Sequence, residues 1–588
     1  MSSEHDSWWA HWPDRRASEL AAFAKHGATT EVGFEGNGLL SLFVTWPLEG
    51  RGPMHLRVGF SSFHPFFRPD IAAPEERFDR HQNPIGHSLC LVAHGKDQWD
   101  PSELVADVIH RQLTKLLMVM DARSRGDFEE AKKHEDHFAD PITVYWQGLS
   151  EQNSAGYLDR RAVVPTDLAG LADASFIERG VSTENGDGAL EVVLSRFRRF
   201  SGPTLAPLFN LPQPQGSWKS IPARWVRTST EGCQSVDSLV ARALAVAKGA
   251  PLAAKSLAAW LDVERAPRSV SVIVVENAAD YTGTEKRDGY LIILTRREKK
   301  KVTHRLIRSF EISDDIFDRL PVGRALRDKR ALLIGCGAIG GFVAMELARA
   351  GFGHLTLIDH DVLEPGNYVR WPFGRQLWGV SKALLLSALV RQHYPWTMPT
   401  ALDGRVGAAA SDVDFLKSGT GNPFVTLIEA IKAADVIIDA TASPECQQAV
   451  AYHCNRLGKP VVVGNATLGA AGGIVAQFRS DAPACFNCAL QQWKAEGLPD
   501  PAVDESGSLV PVGCNQETFT GGSYDLQEVS LQIIRSAIGL VAPGAFDSGN
   551  WDLAILSHFA DGKRTLPQWQ TAKVKPLLSC CTVKKKAA

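Results

Sequence analysis

The groups best suited to chemistry in this 588-residue chain are a glycine loop, the charged side chains that come after it, and a few cysteines. Gly335-Cys336-Gly337-Ala338-Ile339-Gly340-Gly341 stands between an apolar run, Ala331 to Ile334, and a helical pattern from Phe342 to Arg349. Gly335, Gly337 and Gly340 allow a tight turn there and let backbone N–H groups approach a phosphate at the positive end of the helix. Asp359 closes a second apolar run 19 positions after Gly340, where an acid accepts hydrogen bonds from ribose hydroxyls. Up to that point the pattern suits a dinucleotide as well as ATP. The next residues favour ATP: Asn367, Arg370 and Lys382 supply an amide and two cations, matched to the charge of a triphosphate. Asp439, at the end of Val436-Ile437-Ile438, is placed to hold Mg2+ beside those phosphates.

Ten cysteines in this length are too sparse for a disulfide scaffold, so individual reduced thiols become the question. Cys514 lies in a Gly- and Thr-rich stretch, Gly513 to Gly522, ahead of a helical pattern from Leu526 to Leu540, which favours exposure over burial. Cys90 ends the segment His81-Gln82-Asn83-Pro84-Ile85-Gly86-His87-Ser88-Leu89-Cys90, with Pro65-Phe66-Phe67-Arg68-Pro69 before it and Trp99-Asp100-Pro101 after it. Between Leu89 and Leu91 the thiol could equally be core filler, and Asn83 before Pro84 could equally form a turn. His81, His87 and His94 are assigned no role. Cys485 and Cys488 form a CxxC, and Cys580 and Cys581 are adjacent near the C-terminus.

These groups must be positioned by three zones. The first, 1–145, has strand-like runs at 38–46 and 54–60 and a helix expected from Ser102 to Leu117, with Ser102 as its cap. The second, 146–300, reads as a connecting region of unknown role, with strands at 270–275 and 290–295 and a solvated charged turn at 296–301. The third, 301–588, alternates strand and helix and implies a parallel sheet with right-handed crossovers. The whole is an α/β multidomain chain. Lys plus Arg number 63 against 66 Asp plus Glu, a net charge of -3, which argues against nucleic acid or an anionic membrane as direct partner. No run of about 18 apolar residues exists, and the start has no apolar segment of a secretory signal, so a cytoplasmic location is expected.

Leu357-Ile358-Asp359-x-Asp361 through Asn367-x-x-Arg370, Lys382 and Asp439-Ala440-Thr441 resembles the Rossmann-like, ThiF-type adenylation domain of ubiquitin-activating enzymes and their sulfur-carrier-activating relatives. The resemblance implies that Asp359, Asn367, Arg370, Lys382 and Asp439 bind MgATP, and that a protein's C-terminal carboxylate is adenylated with release of pyrophosphate. It further implies acyl transfer to Cys514 and a homodimer. An arginine before the first strand is also expected in such sites; Arg305 and Arg308 are candidates. The relatives often carry a structural zinc on two CxxC pairs, for which Cys485, Cys488, Cys580 and Cys581 are the candidates, although the second pair has the wrong spacing.

The first zone resembles α+β ubiquitin-conjugating enzymes in its His-x-Asn element, its Gly-x-x-Cys-Leu and its Trp-x-Pro. That implies transthiolation from Cys514 to Cys90, with Asn83 stabilising the oxyanion as a target lysine attacks. The domain order is similar to bacterial fused enzymes of type II cyclic-oligonucleotide anti-phage signalling (CBASS) operons, where the donor is the C-terminus of the nucleotidyltransferase (CD-NTase). A ubiquitin-like protein is the other donor implied. Two further readings stay open: a sulfur-carrier-protein adenylyltransferase, and a nucleotide-binding scaffold without turnover.

Overall fold

The run Val270 to Val275 is almost unbroken in its apolar character, which a strand tolerates when both faces are covered. In the computed structural model of the chain, strand Arg268–Val275 is one of seven that close a barrel. The structure describes residues 8–35, 39–78, 80–92, 99–135, 142–159, 166–182, 188–200, 218–276, 288–299, 301–312, 317, 319–374, 377–407, 423–495, 497–510 and 518–577. The chain divides near residue 313 into two units.

The first unit opens with the helix Pro13–Lys25 and a four-stranded antiparallel meander, Thr29–Phe34, Leu40–Trp46, Met54–Gly59 and Asp70–Ala72. Alternation along these strands sends Leu42, Val44, Leu56 and Val58 into one core with Phe23 and with Val108, Ile109 and Leu113 of the next helix. That helix is Val105–Ser124, so it starts later than the sequence suggests. Ser102 is not its cap: its N–H and hydroxyl both donate to Asp100 Oδ1, at 2.8 and 2.7 Å. The first helical N–H, that of Val105, donates instead to Oε2 of the buried Glu19 at 2.9 Å. Glu19 Oε1 holds His64 Nε2 at 2.9 Å, so one carboxylate from a distant helix replaces the local cap.

The middle zone is a folded element in its own right. Its barrel runs in the order Gly289–Glu298, Lys301–Ile312, Glu151–Asp159, Gly188–Arg198, Ala169–Ser182, Lys219–Arg227 and Arg268–Val275, back to the first. Trp225, Phe197, Val272, Val274 and Ile292 fill the interior. Ile273, Leu291 and Ile293 pack outward with Leu239 and Trp260 of the helices Val236–Gly249 and Ala254–Arg265, which accounts for the two-sided apolar run. Lys301–Ile312, placed by sequence at the head of the third zone, is a barrel strand. Lys299, at φ 52, turns the hairpin that precedes it.

Arg224 is buried beneath the helix Ala254–Arg265. Its guanidinium lies 3.9 Å over the Trp260 ring and donates to Ser271 Oγ (2.9 Å), Trp260 O (3.2 Å) and Glu264 Oε2 (2.6 Å). Removing one member of a buried ion pair costs about 3–5 kcal/mol, and the part-exposed Glu264 puts this case at the low end. Arg224→Ala is expected to lower the urea stability of the first unit by about 3 kcal/mol.

The second unit holds an eight-stranded sheet ordered Met398–Asp403, His354–Asp359, Arg330–Ile334, Val436–Asp439, Val461–Ala466, Gly472–Phe478, Leu553–Ala560 and Lys563–Ala572. The first five strands are parallel, as expected, and the last three antiparallel. Helices Ala338–Ala350, Lys382–His393 and Ser523–Val541 build one core, and Pro444–Leu457 and Phe486–Lys494 build the other. Arg330–Ile334 has its successor His354–Asp359 on one side and Val436–Asp439 on the other, so the crevice at a reversal of strand order opens at Gly335.

Candidate functional site

The glycine loop is packed as tightly as a phosphate cradle requires. Gly335 sits at φ +88, and a Cβ there would lie 2.8 Å from the backbone of Ala440 and Thr441. A Cβ on Gly340 would fall 1.8 Å from Gly335 O, whereas one on Gly337, the N-cap of Ala338–Ala350, would meet nothing within 4 Å. Gly335 and Gly340 close the turn against its neighbours, and Gly337 leaves open space before the helix N-terminus.

Asp359 ties the glycine loop to the segment beyond its own strand. Its Oδ2 accepts from Cys336 N at 2.6 Å and its Oδ1 from Asp361 N at 2.8 Å. Lys382, buried at the start of its helix, pairs with Asp361. Asn367 Oδ1 accepts from Glu364 N at 3.1 Å, which folds the short helical turn Pro365–Val369. Arg370, next in the chain, donates to Phe519 O and, at 3.2 Å, to Thr518 Oγ1. These contacts anchor a two-stranded ribbon, Ser508–Leu509 with Thr518–Phe519. Cys514 itself lies outside the described residues.

Asp439 is wholly buried at its strand end. Oδ1 accepts from Thr441 N and Oγ1, at 3.0 and 2.7 Å, while Oδ2 has no hydrogen-bond partner. Burial pushes this carboxyl up to about 6, against the opposing pull of the Thr441 hydrogen bonds. An oriented carboxylate oxygen without a partner fits a hard cation such as Mg2+, and the open space before Gly337 fits a phosphate. Arg305 and Arg308 lie on a barrel strand of the first unit, where Arg305 pairs with Glu151 at 3.1 Å.

The thiols separate by exposure. Among the described cysteines, Cys90 alone is not buried. Burial pushes Cys446 and Cys454 up to about 12 and Cys336 well above the ordinary thiol range, with Asp359 or Asp439 adding to it. Cys485 and Cys488 face each other at 3.8 Å in a sealed core. The zinc expectation gains nothing here: among the described residues no three His, Cys, Asp or Glu side chains gather for a metal, and Cys580 and Cys581 lie outside them.

Around Cys90 the motif pieces converge. Trp99 Nε1 donates to Pro65 O at 2.8 Å, tying the proline stretch to Trp99-Asp100-Pro101. Residues 81–83 and 88–90 pair antiparallel about the bridge between Gln82 and Leu89, with Cys90 N on His81 O (2.7 Å) and Asn83 N on Ser88 O (2.8 Å). Gln82 and Leu89 are buried, as is the His81 side chain, while Asn83, Ser88 and Cys90 are half-buried. Asn83 Oδ1 takes Ile85 N at 2.8 Å and Gly86 N at 3.3 Å, so it does form a turn, and only its Nδ2 is left to meet an oxyanion. Two neighbours escape sequence reasoning. His81 bonds Glu135 Oε1 through Nε2 at 2.8 Å and lines a small cleft with Cys90, Lys115, His134 and Glu135. The fixed spacing of His81 from Cys90 is a local signal; Glu135, 54 residues on, gives none.

Residues 316–542 match the ThiF family. Over 583 residues, 98% of each chain, the sequence is 40% identical to the protein y4oA of Sinorhizobium fredii (strain NBRC 101917 / NGR234). It is 22% identical over 218 residues to ubiquitin-like modifier-activating enzyme 5 of Arabidopsis thaliana, covering 35% of this chain and 51% of that one. It is 28% identical over 251 residues to the ATP-dependent ubiquitin transferase-like protein Cap2 of Escherichia coli (strain TW11681), covering 41% and 38%. Among the described residues no helix is long and apolar enough to cross a membrane.

Proposed function

Because the chain belongs to the family of y4oA and carries a ThiF-family domain, we propose that it activates a protein C-terminal carboxylate with MgATP and passes the acyl group through two thiols to an amine. The carboxylate attacks the α-phosphorus of ATP and pyrophosphate leaves. Cys514 attacks the acyl carbon and AMP leaves; Cys90 then takes the acyl group, and a lysine amine displaces Cys90 while Asn83 Nδ2 donates to the oxyanion. Gly335, Gly337 and Gly340 would shape the phosphate cradle, Asp359 would meet the ribose, Asn367, Arg370 and Lys382 would meet the phosphates, and Asp439 would hold Mg2+, whose charge would offset theirs. One observation carries the reading: a cradle with a partnerless buried carboxylate oxygen and an accessible thiol beside a histidine occur on one chain. The names of the activating enzyme and of Cap2 support the first step and the transfer in turn. The donor we favour is a CD-NTase C-terminus in anti-phage defence, with a ubiquitin-like protein as the other candidate and a homodimer as the working form.

The test weighs intact Cys90→Ala and Cys514→Ala chains after incubation with ATP, Mg2+ and either a ubiquitin-like protein or a CD-NTase. The Cys90→Ala chain is expected to keep a thiol-labile acyl adduct, the Cys514→Ala chain to carry none, and neither to ligate an amine. An equal adduct on Cys514→Ala removes Cys514 from the path. Sulfide-dependent thiocarboxylate without a lysine product moves the reading to a sulfur-carrier adenylyltransferase. With no donor-dependent ATP–pyrophosphate exchange, a nucleotide-binding scaffold is what remains.

A further inference from the structure

His81 is held in a backbone conformation that a side-chain-bearing residue seldom adopts, at φ 56, and is almost fully buried. Strained backbone of this kind persists where the surroundings over-determine it, often at sites that act on a ligand. The surroundings here are explicit. Nε2 is fixed by Glu135 Oε1 at 2.8 Å, and Glu135 is in turn held by Arg80 at 3.2 Å. With Nε2–H donating to that carboxylate, the tautomer leaves Nδ1 as the basic nitrogen of the ring. The Cys90 thiol lines the same small cleft as the ring, and Cys90 N donates to His81 O at 2.7 Å, which fixes the two residues side by side. Burial lowers the affinity of His81 for a proton, but the neighbouring Cys90 and the Glu135 carboxylate that accepts from Nε2 outweigh it, and the net direction is upward. Lys115 and His134 line the same cleft, so the charged and titratable groups facing this pair are Arg80, Lys115, His134 and Glu135.

We propose that Cys90, His81 and Glu135 act as nucleophile, base and positioning residue, with His81 taking the Cys90 proton and Glu135 holding the ring in the tautomer that can take it. The proposal rests on the relay reading, and its step balances in atoms and charge. As the Cys90 sulfur bonds to the acyl carbon of the incoming thioester, its proton moves to His81 Nδ1. The bond from that carbon to the donor sulfur breaks, and His81 returns the proton to the departing thiolate. No oxidant or further reactant is needed. A thiol is a weak nucleophile until its proton is removed, and a histidine oriented by a third group is a recurrent way to remove it.

The test needs neither ATP nor a donor. The full-length chain is alkylated with iodoacetamide between pH 5 and 10, and modification of the Cys90 peptide is tracked by mass spectrometry. His81→Gln is expected to slow Cys90 alkylation at pH 7 at least tenfold, and Glu135→Gln about threefold or more. In both variants the rate keeps climbing through the pH range of an ordinary thiol, whereas the unaltered chain levels off earlier. Thermal unfolding shows whether each variant is folded. If buried His81→Gln fails to fold, Glu135→Gln decides: a folded variant with an unaltered rate and pH profile overturns the proposal, as does a folded His81→Gln with an unaltered rate. Fast, histidine-dependent alkylation together with no acyl adduct on Cys90 would sink the relay and leave the triad standing.

Discussion

Asp439→Asn is expected to make the second unit more stable at neutral pH and to abolish its response to MgATP. Burial holds this carboxyl up at about 6, above its ordinary 3.8. Between those two values the folded chain keeps a proton that the unfolded chain has lost, so stability falls as pH rises through that window. At pH 7 the carboxylate is charged and stability is lower by up to about 3 kcal/mol, at 1.36 kcal/mol per pKa unit. Asn keeps an acceptor for Thr441 N and Oγ1 and removes the charge, at the cost of a buried amide that needs partners of its own. A gain of about 1–3 kcal/mol, or roughly 2–4 °C for each, is expected at pH 7, and none at pH 3, where both states are protonated. MgATP at a hundredfold excess over its Kd is expected to stabilise the unaltered unit by about 2.7 kcal/mol and the variant not at all. Calorimetry at the two pH values, with and without MgATP, measures all of this. A variant that loses stability at pH 7 yet keeps the full MgATP shift contradicts both parts.

Two glycines in one turn are expected to fail in opposite ways. Gly340→Ala forces a methyl onto Gly335 O, 1.8 Å away, with the Ala440 Cβ at 3.5 Å and no flexible side chain to give. Overpacking of this kind costs about 1–3 kcal/mol and more where backbone must move, so the variant is expected to lose stability and nucleotide binding together. Gly337→Ala places its methyl in open space, on an extended backbone of φ -74 and ψ -151. Its unfolding free energy in urea is expected within about 0.5 kcal/mol of the unaltered chain, while MgATP affinity falls at least about tenfold because the backbone can no longer approach phosphate. Urea unfolding and MgATP titration of both variants separate them. Equal loss of stability in the two would mean that the space before Gly337 is not a ligand's.

The parts of this protein that can be read from the sequence are those whose determinants are local. The strand, glycine turn and helix at Ala331–Ala350 arise from adjacent residues, and so does the acid at the next strand's end. The barrel does not, because its closure depends on parallel pairing of Glu151–Asp159 with Lys301–Ile312, segments about 150 residues apart with no shared pattern. Distance likewise hides the true start of Val105–Ser124, which is set by Glu19 from 86 residues upstream rather than by Ser102. At Cys90 the motif is legible and its chemistry is not: the histidine is nine positions away, but what orients it comes from beyond the next helix.

Closure of the barrel also limits how an extended protein tail could be captured. Every barrel strand pairs with a neighbour on each side, so among the described residues the barrel has no outer strand to offer for strand addition. Among the larger described sheets, such a guest could join at the outer strands of the meander, Thr29–Phe34 and Asp70–Ala72, or of the eight-stranded sheet, Met398–Asp403 and Lys563–Ala572. Both outer strands of the eight-stranded sheet carry a proline, Pro399 and Pro567, which blunts an edge. Asp70–Ala72 is only three residues long, and its outer side is already taken by residues 87–89, with Leu89 N on Ile71 O at 2.6 Å and a bridge between Ala72 and Ser88. Thr29–Phe34 has six residues and no proline, and it exposes Val32 and Phe34, which makes it the most receptive of the four.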